Sequence, residues 1–480
     1  MNYENFKLRT DEQGITWVGI DVAGSNVNTM GTPVLAELAA MLDAFDAAPP
    51  KGVVFHSLKS SGFTPTDEQW AAMTRSATGN QLALVLSAST GPGGAVGTST
   101  PLSIRFSPED VRGGLYYWST TIQGIYRVSL ESRQAAVFMD PKRNTTCVGC
   151  HALSQDSTKV ATVFGGPDGI GGVVDGVDGG HYLVRPTNIR WNFQSFSPRG
   201  DLLLVNYQQG LKILDAATLK PVRVLTKLEL GGAAAHPEWS ADGKAIVFAR
   251  YPADGSGEEV FAKNVGDIVV LPVGDGGAPA GPPQVIVSAK AGEEYHFYPS
   301  WTPDSRWIIF NTGRVPCGSP RGGPCNSYDA RNTRLRLVRA TPGSTPIELA
   351  NATRGAGLST NWPRVAPFTQ DAGKLIFFTF SSRGSYGFAE RKAPQIWMAA
   401  VDLDRAEHQP GQDPSYPPFW LPFQKGGENN HLATWTNREL CASANECPPS
   451  FACVSHQCVP VTAEPVTPAP VAPPPITRTS

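Results

Sequence analysis

"SFSPRGDLLLVNY", residues 195–207, sets a hydroxyl residue and a Pro-Arg-Gly step between a short strand-like piece and an apolar run. Pro and Gly supply the backbone angles of a tight turn, so the phrase reads as two strands of a hairpin. It recurs as "ALSQDSTKVATVF" (152–164), "EWSADGKAIVFAR" (238–250), "SWTPDSRWIIFNT" (300–312) and "PFTQDAGKLIFFT" (367–379). The hydroxyl positions Ser154, Ser197, Ser240, Thr302 and Thr369 are 43, 43, 62 and 67 residues apart. An interval of 43 matches one four-stranded blade of a β-propeller, and the longer intervals hold insertions near "YPADGSGEE" (251–259) and the Cys317–Cys325 loop. Further strands such as "LKILDAATLKPVRVL" (211–225) and "PQIWMAAVDLD" (394–404) complete the blades.

These phrases resemble the Ser-Pro-Asp-Gly repeats of TolB-type propellers, over roughly residues 111–436. A sixth blade can be assembled from "GGLYYWSTTIQGIYRVSL" (113–130), ahead of the first phrase, and "NNHLATWT" (429–436), which closes the ring. Closure of that kind removes the exposed edges of an open sheet. The expected fold is therefore mainly β, a six-bladed TolB-like propeller over 111–436. It is preceded by a short α/β fragment (1–63) and a β-rich lead-in (64–110), and followed by a cysteine-rich segment (437–460) and a Pro-rich tail (461–480).

Just ahead of the first phrase stands "CVGCH", residues 147–151. Two thiols at this spacing suit the two vinyl groups of one porphyrin, and the adjoining imidazole can ligate its iron. The expectation is one covalent haem c, held by Cys147 and Cys150 with His151 as proximal ligand. A zinc or thioredoxin-like reading leaves His151 unexplained. A zinc site also asks for a second ligand pair, and no other two cysteines have the CxxC spacing. A structural disulfide between Cys147 and Cys150 stays open. For the distal side the sequence offers His431, brought beside the first blade by ring closure, then His181, His236 and His296. Met139 is close to the motif, and Met398 reads as a core residue of an apolar strand.

The opening segment follows another pattern. Strand "GITWVGIDV" (14–22), helix "PVLAELAAMLDAFDA" (33–47) and strand "KGVVFHSL" (51–58) form a βαβ unit, the helix carrying Val34, Leu35, Leu38, Met41, Leu42 and Phe45 on one face. The strands lack alternation and suggest burial on both faces. "GITWVGIDVAGSNVNTM" and "KGVVFHSLKSSGF" resemble the start of an enoyl-CoA hydratase/isomerase (crotonase) domain, in particular that of the fatty-acid oxidation α subunit. Where that family continues into an oxyanion-hole turn, Phe63 is followed here by "TPTDEQW", and the acid/base glutamates have no counterparts downstream. No hydratase activity is expected.

Charge names no partner: 40 basic residues stand against 42 acidic ones, which gives no field to gather nucleic acid or an anionic membrane. No apolar run is long enough to span a bilayer. Four cysteines, Cys441, Cys447, Cys453 and Cys458, fall in a segment with few apolar residues, where two disulfides are the natural staple. Cys317 and Cys325 bracket a Gly/Pro-rich loop that a third would close. Disulfides and haem c both point to a periplasmic or extracellular protein, yet "MNYENFKLRTDEQG" has neither the basic nor the apolar region of a signal peptide. Two function classes follow. One is an exported monohaem cytochrome that exchanges electrons with a partner protein or small molecule. The other is a TolB-like binding propeller in which CVGCH is structural and nothing is catalysed.

Overall fold

In the computed structural model we describe residues 3–57, 81–106, 111–436 and 451–460, except 13, 24–31, 49–51, 86, 90–95, 112, 131–134, 145, 167–168, 186–187, 208–209, 252–265, 291–292, 315–329, 331, 354–358, 370–372, 385–392 and 455–456. The chain divides into two units, Met1–Asp110 and Val111–Ser480.

The second unit is a six-bladed β-propeller. Its six sheets have four antiparallel strands each. Blade 2 runs through Val148–Leu153, Lys159–Phe164, Ile170–Asp175 and Tyr182–Val184. Blade 3 starts with Gln194–Phe196, blade 4 with Ala233–Trp239, blade 5 with Glu294–Trp301 and blade 6 with Thr360–Val365. Blade 1 is shared between the ends of the unit. Gly114–Ser119, Gly124–Ser129 and Ala135–Met139 are completed by Asn430–Thr436, in register from Asn430 opposite Ser119 to Thr436 opposite Gly114. The six first strands touch one another in cyclic order and so line the axis, with Asn430–Thr436 between those of blades 6 and 2. The sixth blade expected from the sequence is thus present, closed as expected.

The repeated phrase has a local cause. In blade 2 the Ser154 hydroxyl donates to Asp156 (2.5 Å) and accepts the Lys159 N–H (3.0 Å), which pins the turn between the first two strands. Ser240 does the same with Asp242 (2.6 Å) and the Ala245 N–H (2.9 Å), and Thr302 with Asp304 (2.5 Å) and the Trp307 N–H (3.0 Å). Ser197 uses Asp201 instead, because its phrase carries the acid two places later. The turn residue at positive φ is Gly200 (67°) or Gly243 (73°) in two blades, which is why glycine recurs there. In blade 6 the alignment shifts. Ala366 N–H donates to the Phe377 carbonyl as Ser154 N–H does to that of Lys159, so Ala366 is the equivalent position and Thr369 belongs to a longer turn.

Apolar side chains fill the spaces between adjacent blades. Leu204, Leu211, Ile213, Phe248 and Val269 join blades 3 and 4, and Ile309, Leu335, Phe378 and Trp397 join blades 5 and 6. Met398 is a core residue between blades 6 and 1, and Met139 is buried between blades 1 and 2.

In the first unit, Ile15–Ile20 pairs in parallel with Gly52–Ser57 and, through an added strand Phe6–Thr10, antiparallel on its other side. The helix Thr32–Ala47 seats Val34 and Met41 against Phe6, Val18 and Ile20. Burial of the sheet is uneven: Val18, Gly19 and Ile20 are buried, Ile15 and Trp17 are partly buried, and Val53 is exposed. One amphipathic helix can cover one face only. The lead-in holds two strand pairs, Gln81–Leu84 with Leu102–Arg105 and Ser87–Ser89 with Val96–Thr98.

Candidate functional site: the propeller axis

Five of the six innermost strands depart from regular pairing at the same place. The ladder shifts between Val148 and His151 in blade 2, Ala235 and Glu238 in blade 4, Phe297 and Ser300 in blade 5, Asn361 and Arg364 in blade 6, and His431 and Ala433 in blade 1. A bulge re-aims the side chain it carries. Four bulge residues adopt left-handed backbone: His236 (φ 53°), Tyr298 (50°), Trp362 (61°) and Leu432 (43°). That conformation costs a non-glycine residue about 1–2 kcal/mol, so the surrounding ring must hold it in place.

The equivalent residues, four positions before the turn, are Cys150, Phe193, His236, Tyr298, Trp362 and Leu432. They meet on the axis. Phe193, Tyr298, Trp362 and Leu432 form one buried cluster, against which Cys150 packs. The His236 ring stands 4.5 Å from Phe193 and 4.2 Å from Tyr298, and Tyr298 stacks on Trp362 at 4.1 Å. One ion pair borders the cluster: Arg364 lies 3.6 Å from Glu238, whose carboxylate accepts from the Ser300 hydroxyl (3.1 Å) and the Trp301 N–H (2.8 Å). Burial raises the Glu238 pKa, with Arg364 opposing.

CVGCH enters this frame as strand. Cys147 lies just before Val148–Leu153 and is partly exposed; Cys150 lies within it; both thiols are free. Cys150 keeps some surface, yet burial around its sulfur pushes the thiol up to about 12. His151 turns away from the axis into the seam between blades 1 and 2, where it is 2% exposed. Its Nε2 is 2.9 Å from the carbonyl oxygen of Tyr116 on blade 1, and its Nδ1 has no partner. Burial brings its pKa down to about 4, the Tyr116 carbonyl acting in the opposite direction.

The other histidines fall elsewhere. His181 is exposed next to the outer strand of blade 2. His296 is occupied within blade 5, Nδ1 with the Thr312 hydroxyl (3.0 Å) and Nε2 with the Ser288 carbonyl (3.3 Å). His431 is buried in blade 1 with its ring 5.8 Å from Trp118, and its strand neighbours that of the motif. His236 is the one distal candidate whose ring joins the axial aromatic residues. Its Nδ1 accepts the Tyr298 N–H at 3.5 Å, and its Nε2 is buried without a partner.

The donor set fits a haem in its chemistry. Two free thiols and an imidazole are the groups that covalent attachment and iron ligation use, here with Cys150 facing the aromatic axial cluster and His151 facing the seam between blades 1 and 2. Gly149, between the thiols, leaves space: a methyl there would meet only the Val163 carbonyl, at 3.9 Å. Cys317, Cys325, Cys441 and Cys447 lie outside the described residues. Cys453 and Cys458 face each other in register across the pair Phe451–Val454 and Gln457–Pro460.

The axial ring was not foreseen from the sequence, though a signal existed. His236-Pro237, Tyr298-Pro299 and Trp362-Pro363 each put a ring-bearing residue before proline, four places ahead of the turn.

No family model matches the chain. An N-terminal stretch of 59 residues is 39% identical to the fatty acid oxidation complex subunit alpha of Vibrio vulnificus (strain CMCP6), covering 12% of this chain and 8% of that protein. The chain is also similar to TolB from Acinetobacter baumannii, at 13% identity over 80% of this chain and 90% of that one (TM-score 0.42). With hydrazine synthase from Kuenenia stuttgartiensis it shares 14% identity over 61% and 74% of the two chains (TM-score 0.40).

Proposed function

We propose that this chain is a redox propeller that carries one covalent haem c through Cys147 and Cys150, with His151 as a ligand to its iron. The observation that supports this is the placement of the motif: both thiols are unbonded, Cys147 just before and Cys150 within the innermost strand of blade 2, and Cys150 packs on the aromatic axial cluster. A bound haem c supplies a centre that gains and loses one electron. The protein's part would be to hold that centre through the two cysteines and His151, with Phe193, Tyr298 and Trp362 in the apolar cluster on which Cys150 packs. Export to the periplasm or beyond, and an electron donor or acceptor as partner, belong to the same proposal. Among the described residues, no helix is long and apolar enough to cross a membrane.

A second reading, a binding propeller with a purely structural CVGCH, is favoured by one observation: His151 already fills a structural place between blades 1 and 2. One experiment separates the two. The full chain is exported behind a signal peptide in a host that matures haem c, and its mass is taken under denaturing conditions. The expected result is the added mass of one haem, lost in the Cys147→Ser/Cys150→Ser variant. An unmodified mass overturns the haem reading.

A further inference from the structure

We infer that the propeller axis binds a small organic acid, a carboxylate with a hydroxyl or amino group on the next carbon, and that Arg364 is its anchor. The inference is independent of the haem reading.

Two positions beyond the axial cluster, each innermost strand supplies one residue: Ala152, Ser195, Glu238, Ser300, Arg364 and Thr434. Three of them share one task. Ser195 Oγ accepts the Trp239 N–H (3.1 Å), Glu238 Oε1 the Trp301 N–H (2.8 Å) and Ser300 Oγ the Val365 N–H (3.2 Å), so each caps a main-chain donor of the next blade. An arginine side chain has no acceptor to offer there. Arg364 instead runs back past blade 5 to Glu238 on blade 4. Its main chain is held, the carbonyl accepting from the Trp435 indole (2.9 Å) and the Thr379 hydroxyl (3.4 Å). Its guanidinium is largely unused. Nη1 donates to the Pro363 carbonyl (3.1 Å) and lies 3.6 Å from Glu238 Oε2, while Nε and Nη2 have no partner among the described residues, although the side chain is only 16% exposed. Shielded polar groups are normally paired, and a carboxylate fits the planar fork of a guanidinium with two parallel bonds.

A second unfilled donor lies on the same axis. His236 Nδ1 accepts the Tyr298 N–H at 3.5 Å, so the ring proton sits on Nε2, which is buried without a partner. Burial holds the His236 pKa well below its usual value and the Arg364 charge acts in the same direction, which puts the two groups within electrostatic reach. Thr434, on the strand adjoining that of Arg364, also keeps a buried Oγ1 without a partner. These groups together ask for an acceptor. Glu238 sets the other half of the ligand: its Oε1 is filled by the Ser300 hydroxyl and the Trp301 N–H, and its Oε2 has only the long Arg364 contact, so it can take a donor. A carboxylate on Arg364 with a hydroxyl or ammonium turned to Glu238 satisfies both.

Calorimetric titration of the full chain at neutral pH with glycolate, glycine, acetate and inorganic phosphate tests this. Glycolate or glycine is expected to bind one to one, at least tenfold tighter than acetate or phosphate. Arg364→Lys keeps the charge but loses the fork, and is expected to weaken that binding at least tenfold. Glu238→Gln is expected to bring the preferred acid down to the level of acetate. His236→Asn suits the left-handed backbone there and removes the Nε2 donor; it is expected to weaken binding about fivefold, and it decides the matter if circular dichroism shows that Arg364→Lys does not fold. The inference is overturned if neither glycolate nor glycine binds, if acetate or phosphate binds as tightly, or if affinity is unchanged in folded Arg364→Lys or His236→Asn.

Discussion

Removing the His151 ring from the haem-free protein tests whether it belongs to the blade 1–blade 2 seam. His151→Ala strips the Tyr116 carbonyl of its donor, at about 1–3 kcal/mol, and leaves a space where a 2% exposed ring had been, at about 1–2 kcal/mol more. Against this, the unpartnered Nδ1 disappears as well, returning about 1 kcal/mol. The net expectation is about 2–3 kcal/mol. A folded unit of roughly 330 residues unfolds with an entropy near 0.7 kcal/mol/K at about 2.1 cal/mol/K per residue, so the midpoint should fall by about 3–4 °C. Calorimetry on the haem-free chain measures this, with His151→Phe as a companion that fills the space but leaves the carbonyl unpaired. A His151→Ala midpoint within 1 °C of the parent would refute the packing argument, since a ring that pointed to solvent would cost nothing to remove.

Two further outcomes are expected. Burial holds His296 down at about 4, with the Ser288 carbonyl opposing. The unfolded chain takes up a proton near 6.5 while the folded one does not, so this group's contribution is complete above pH 6.5 and is lost as pH falls toward 4. The loss is at most about 3 kcal/mol. Denaturant titrations from pH 7 to 4 should show a shallower loss in His296→Gln, and an equal slope would sink the assignment. Deleting residues 1–63 should leave the propeller midpoint within about 2 °C, because that sheet and helix have their own core; a larger drop in calorimetry would show that the propeller leans on it.

Blades 2 to 5 were readable because their turns combine a hydroxyl, an acid and a residue at positive φ within a few positions, and Ser240-Ala241-Asp242-Gly243 spells that out. Thr369 misled because a hydroxyl in a lengthened turn looks the same in sequence as one that clamps a short turn, and only the Ala366–Phe377 pairing separates them. The closing strand was legible because a sixth blade needed one to complete the ring, whereas the position of His431 within it was not, since a one-residue bulge at Leu432 decides which side chain faces the axis. For the same reason CVGCH could be found but its inside and outside could not be told apart. Adjacent residues of a strand point opposite ways, which sends Cys150 to the axis and His151 into the seam.

Because Asn430–Thr436 completes the blade that begins at Gly114, the propeller closes only after nearly the whole unit has left the ribosome or crossed a membrane. Until then Tyr116 sits on an open edge and nothing seals the seam around His151. In an unfolded chain a cysteine thiol has a pKa near 8.5. After closure, burial raises the Cys150 thiol pKa and disfavours the thiolate. The last strand to arrive therefore acts as a timer on the chemistry of residues nearly three hundred positions earlier. The contact of Thr436 with Ser157 is where that last strand meets blade 2.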